Sequence, residues 1–228
     1  MDNYLFENYS LDLITFGKPK KHSEYFVSKI KYSKKDSNEL DNMNVQFPLM
    51  NILSLTSKDI TLEFSGNSTY STGCYNFLST LDDLIVNKIS SNVTEWFGKE
   101  IPIETLKKMY NSFLKAPKTA DSHVNMILSI TKNSKFYNSK NKEITLEDIN
   151  KGMYAESICQ MKYLMFSKDT AFVVWELLSS KTYKKVNKVK QYGFLDDPDD
   201  SNTDLLDDFL EDSVDLLIND NKENNTFF

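Results

Sequence analysis

Residues 152–185 read GMYAESICQMKYLMFSKDTAFVVWELLSSKTYKK, and the way this stretch folds decides the architecture. The runs MYAESICQMKYLMF and AFVVWELLSSKTYKKV are rich in aromatic and β-branched residues and are joined by the short polar turn SKD. They predict two long antiparallel strands. Gly152 stands just before the first strand, closing a single helical turn, TLEDINKG, in which Thr145 and Asp148 have capping-box spacing.

Upstream, SKFYNSKNKEIT resembles a hairpin, and HVNMILSI alternates, with Val124, Met126, Leu128 and Ile130 on one face. Before these the period changes. Leu78, Leu81, Ile85, Ile89, Val93 and Trp96 recur every three or four residues, predicting an amphipathic helix over 75–97 with Gly98 at its C-cap. Pro102 suits the first turn of a second helix, with Ile103, Leu106, Met109, Tyr110 and Phe113 facing inward. Earlier still, EYFVSKIKYS alternates with Phe26, Ile30 and Tyr32 toward a core, and MNVQFPLMNILSL and KDITLEF read as strands, Pro48 marking an edge or bulge.

About six strands with a helical excursion and a glycine before a late strand pair predict an α+β, mainly β, fold: an OB-like Greek-key β-barrel with a helical hairpin inserted at about 75–115. Another α+β sandwich has the same periodicity. The expected organisation is a flexible basic arm at 1–22, ending in GKPKKH, an OB-like domain at 23–195, and a disordered acidic tail at 196–228.

The 228 residues carry a formal net charge of −6 at pH 7, which conceals two unlike parts. Residues 196–228 hold twelve Asp/Glu and one Lys, while residues 1–195 hold 26 Lys and 21 Asp/Glu. A basic body with an acidic tail points to a nucleic-acid partner for the body and a regulatory role for the tail. All 27 basic residues are lysine, so any anion must be held by point charges, backbone N–H groups or hydroxyls rather than by a guanidinium fork.

No catalytic constellation emerges. His22 and His123 lack metal-ligand partners at useful spacing, no lysine follows the glycines of SGNSTYSTG in P-loop register, and Asp82 and Asp83 are adjacent on a helix, where a solvated face accounts for them. Cys74 and Cys159 lie far apart and read as reduced, buried thiols. The expectation is a non-enzymatic, soluble intracellular protein without cofactor or metal and without a membrane partner.

Lysines interleaved with aromatics carry the binding signal, because ammonium groups attract phosphates and aromatic faces stack on unpaired bases. The candidate nucleic-acid-binding residues are Lys29, Lys31, Lys132, Lys135, Lys162, Lys181, Lys184 and Lys185, with Tyr25, Phe136, Tyr137 and Tyr183 for stacking. Trp175, within AFVVWELL, reads as core. In the tail, Phe209 and the final pair Phe227 and Phe228 are candidate anchors in a partner's pocket, while the acidic residues meet its basic rim or occupy the body's own groove.

The run LDDLIVNKISSNVTEWFGKEIPIETLKKMY, with INKG and W-E-L after FSKDTAF, resembles a family of nucleocytoplasmic large DNA viruses over residues 75–195. At the level of architecture the chain resembles the OB-fold single-stranded DNA-binding proteins of those viruses, and its tail is similar to that of phage T7-type single-stranded DNA-binding proteins. The resemblance implies a protein that coats single-stranded DNA in viral replication, recombination or repair, in the host cytoplasm or viral factory, with a tail that competes with DNA and recruits replication proteins such as a DNA polymerase. RNA as the partner is left open. The alternative is a viral structural or assembly protein, or a transcription accessory factor, using the fold for protein contacts.

Overall fold

The computed structural model describes residues 4–33, 40–64, 68–117 and 123–184. Lys185, Phe209, Phe227, Phe228 and the acidic tail lie outside the described residues.

Along the chain the strands are β1 (Ile14–Phe16), β2 (Lys20–His22), β3 (Tyr25–Ser33), β4 (Leu40–Asp41), β5 (Met43–Leu55) and β6 (Asp59–Phe64). Helices α1 (Thr69–Phe97) and α2 (Ile103–Met109) follow. Then come β7 (Tyr110–Asn111), β8 (Asn125–Ser129), β9 (Lys135–Asn138), β10 (Glu143–Ile144), β11 (Tyr154–Phe166) and β12 (Ala171–Tyr183).

Five of these strands close on themselves. β5 pairs with β6, β6 with β8, β8 with β12, β12 with β11 and β11 with β5, all antiparallel except β8–β12. Numbered one to five in chain order, they run 1-2-3-5-4-1, the circuit of an OB-like barrel, with the helices inserted between the second and third. β3 adds to the circuit by pairing with the turn-proximal part of β11, carries β1 and β2 along its other edge, and pairs with β4 on the edge opposite β1.

Strands of thirteen residues stay amphipathic only because bulges reset their phase. Pro48 and Leu49 in β5 face the single residue Glu156; Lys162 is the extra residue in β11 and Leu178 the extra residue in β12. Each insertion restores the inward set: Phe47 then Met50, Met161 then Leu164, Leu177 then Ser180. A proline in a central strand is tolerated at such a bulge, where no ladder donor is needed.

Apolar side chains dominate the core. Phe47, Met50, Ile52, Ile60 and Leu62 meet Leu78, Leu81, Ile85 and Ile89 of α1, and Trp175 packs its ring 5.5 Å from Phe47 and 5.7 Å from Phe113. Each such buried side chain contributes roughly 1.5–3 kcal/mol relative to exposure. α1 begins at Thr69 rather than Tyr75 because Ser68 caps it, its side chain accepting from the Ser71 N–H at 3.0 Å. It ends at Gly98, φ +69°, as expected. Gly152, φ +86°, makes the turn into β11, its N–H donating to the Ile52 carbonyl at 2.8 Å. The Thr145–Asp148 capping box is formed.

Three expectations are corrected. Residues 4–22 are not a loose arm: Phe6 and Ile14 are buried, Phe6 lying 5.1 Å from the Tyr70 ring, and β1 and β2 pair with β3. The hydrophobic anchors are only two and widely spaced, so no period advertises them. Tyr110 leaves α2 to pair in parallel with β12. Asp82 is not solvated: its carboxylate accepts from the Tyr110 hydroxyl at 2.5 Å and from Ser112 Oγ, tying α1 to β7. Burial raises its pKa, partly offset by those two hydrogen bonds.

Candidate nucleic-acid interface

Register across β2, β3, β11 and β12 builds one outward face. Lys20 lies opposite Val27, Val27 opposite Met165, and Met165 opposite Phe172. One step along, Lys29 lies opposite Tyr163, which lies opposite Val174. Directly paired residues point to the same side of a sheet, so these rows are continuous strips across it.

Over the β2–β3–β11 part of this face runs a groove of about 560 Å³ lined by Gly17, Lys18, Lys20, His22, Val27, Lys29, Tyr163 and Met165. Its shape comes from the short segment between β1 and β2. The Gly17 N–H donates to the Lys29 carbonyl at 3.0 Å and Ser28 Oγ donates to the Gly17 carbonyl at 2.6 Å, which stations Lys18 and Lys20 beside Lys29. Three exposed ammonium groups thus border a floor of one aromatic and two aliphatic side chains. Tyr25, 40% exposed, extends the same face opposite His22.

Charge on this face is already partly compensated. Lys162 at the β11 bulge is hydrogen-bonded and ion-paired to Glu176, which is 6% exposed overall and also accepts from Thr131 Oγ1 at 3.1 Å. The ammonium of Lys162 sits 5.6 Å from the centre of the Tyr163 ring, at the groove's margin. Lys31, on the same strand face as Lys29, donates to Asn42 Oδ1 at 2.7 Å.

The other candidates gather elsewhere, roughly 20 Å along the β11–β12 ribbon at ~3.3 Å per residue. Tyr137 lies opposite Lys181, Lys181 opposite Glu156, and Lys135 opposite Ser179. The Tyr183 hydroxyl donates to Glu156 Oε2 at 3.0 Å, with the Lys181 ammonium 5.5 Å from its ring centre. Lys132, Lys135 and Lys184 are exposed. Phe136 is corrected: it is 5% exposed and part of the core, because the hairpin tip falls at Ser139–Asn141 and Phe136 lies opposite the buried Ser180. Its ring offers no face to a base. The structure therefore brings Tyr25, Lys29, Lys31 and Lys162 together, apart from the group at β9 and β12.

Sequence reading missed Lys18, Lys20, His22, Tyr163 and Met165. The GKPKKH cluster is visible in the sequence, but no local period places it beside β3, and Tyr163 stands inside a lysine-rich run with nothing to single it out. Among the described residues no group of three His, Cys, Asp or Glu is placed to hold a metal ion. Cys74 and Cys159 are free and buried, and burial pushes the Cys74 thiol up to about 12. No helix among the described residues is long and apolar enough to cross a membrane.

The family of unknown function DUF5871 matches residues 49–196. No curated protein matches the sequence. Among solved structures, the chain is similar to the single-stranded DNA-binding protein from bacteriophage Enc34, at 14% identity and a TM-score of 0.39 over 80% of this chain and 96% of that one. A C-terminal truncation of that protein aligns at 16% identity and TM-score 0.39, over 76% and 97%. Its complex with single-stranded DNA aligns at 14% identity and TM-score 0.34, also over 76% and 97%.

Proposed function

The chain belongs to the DUF5871 family of unknown function, and we propose that it binds single-stranded DNA along the outer face of its barrel and performs no catalysis. One observation carries this reading: the groove in which Lys18, Lys20 and Lys29 border a floor of Val27, Tyr163 and Met165. Phosphates are attracted by the ammonium groups, and unpaired bases gain from an aromatic and aliphatic floor at ~1–3 kcal/mol per stacked base. A duplex hides its base faces and would use only the rim. Lysine point charges without arginine favour backbone attraction over bidentate reading of guanine.

Neutralising two rim lysines tests it. K20Q/K29Q removes two phosphate contacts, lowering the salt slope of binding by ~1.4 and weakening oligo-dT binding about 25-fold at 0.1 M salt. Unchanged affinity in the folded variant would overturn the reading.

The finer role extends the proposal. Lys135, Lys181 and Lys184, with Tyr137 and Tyr183, extend the path along the ribbon for a longer strand. Residues 196–228, with twelve Asp/Glu against one Lys, compete with DNA for the lysines, and Phe209, Phe227 and Phe228 anchor a replication partner such as a polymerase. A 1–195 truncation then binds oligo-dT more tightly at low salt than the full chain; equal affinity refutes the competition.

A further inference from the structure

β12 has a gap along the edge facing away from β11. β7 pairs with it only at Ala171 and Phe172, and β8 only at Glu176, so Val173–Trp175 have no strand partner on that side among the described residues. The gap is framed on all sides. β8 forms the opposite jamb. The segment 111–115 crosses one end, from the Phe172–Asn111 pairing to Lys115, whose N–H donates to the Asn125 carbonyl at 2.7 Å. The Glu176–Ser129 bridge closes the other end.

This frame encloses a window of about 190 Å³ in the barrel wall, lined chiefly by Phe113, Ile127, Ser129, Phe172, Val174 and Trp175. Ile127 stands 49% exposed at its mouth, while Trp175, 2% exposed, forms part of its wall. A cavity of roughly 150 Å³ accepts benzene, so this one is large enough for the ring of one base. The window also continues the outward face. Val174 and Phe172 line it and are the next residues in the strips that run through Tyr163 and Met165 from the groove. Two strand spacings at ~4.8 Å place it about 10 Å from Lys29, within reach of the same strand.

We infer that the window seats one base of the bound strand, with its ring between Phe172 and the exposed Ile127. This rests on the single-strand reading above and gives it a path: the strand crosses the sheet from the lysine-bordered groove over β2, β3 and β11 to the window between β12 and β8.

Two measurements on the full chain test this. In W96F, where Trp175 is the remaining tryptophan, oligo-dT quenches the indole fluorescence in step with binding followed by anisotropy of a labelled oligonucleotide. In I127W, whose bulky ring covers the mouth at an exposed position, oligo-dT binding weakens about tenfold, a loss in the range of one base stack. If oligo-dT binds but leaves Trp175 unquenched, and I127W matches the parent, the window is empty and the groove alone holds the strand. If the parent protein does not bind oligo-dT at all, the single-strand reading falls and the window's role falls with it.

Discussion

Glu176 is the residue whose removal should strengthen binding. Its side chain is 8% exposed, and it holds Lys162, whose side chain is 31% exposed, in an ion pair at the margin of the groove. In E176Q the amide oxygen still accepts from Thr131 Oγ1, but the carboxylate charge that compensates Lys162 is gone. The ammonium is exposed enough to hydrate, so the loss of stability is smaller than for a sealed pair, about 1–2 kcal/mol, or a drop in Tm of roughly 3–6 °C. One freed cation beside a single strand adds about 0.7 to the salt slope, which at 0.1 M salt amounts to about fivefold tighter binding. Fluorescence anisotropy of labelled oligo-dT at four salt concentrations reads both slope and affinity. A folded E176Q with the parent slope would refute the reasoning, because Lys162 would then lie off the phosphate path; K162Q should weaken the E176Q protein back to the parent value.

Two further outcomes concern the scaffold. Asp82 has a folded pKa raised above 3.8 by burial, so the folded state binds its proton more tightly than the unfolded state does. Its ionisation therefore costs stability as pH rises from about 3.8 through the raised value, and wild type should gain on D82N as pH falls through that window. Thermal melts of both proteins between pH 4 and 7 check this, and a difference that moves the other way contradicts it. Gly98 sits at φ +69° with nothing within 4 Å of a built Cβ, so G98A costs only the backbone term, about 1 kcal/mol, and G98N less; equal stability of all three would show that the helix end is free to rearrange.

The regular parts of the fold were legible because each long strand and the long helix carries its own period. β3, β5 and β6 follow runs of alternation, and β11 and β12 follow the aromatic-rich stretch around the SKD turn, within about three residues. Pro48 announced its bulge. What escaped was set by partners distant in sequence. Phe6 and Ile14 anchor a segment with no period of its own, and Asp82 is drawn inward by Tyr110 and Ser112, about thirty positions away. Phe136 stood among lysines and polar residues, the composition of an exposed tip, yet the inward face of β9 claims it. The groove suffered most from this. Lys29 and Tyr25 could be singled out on an alternating strand, but Lys18 and Lys20 join them only because β2 folds back on β3, and Glu176 silences Lys162 only because a bulge turns that side chain toward β12.

The most direct test is to titrate the full-length protein with labelled oligo-dT at 0.05 and 0.2 M salt, using unlabelled duplex of equal length as competitor. Binding that falls steeply with salt, at ~0.7 in slope per phosphate contacted, and that duplex displaces poorly, is the predicted result. Affinity indifferent to salt, or duplex competing as well as the single strand, would contradict a groove built from lysines around an aromatic floor.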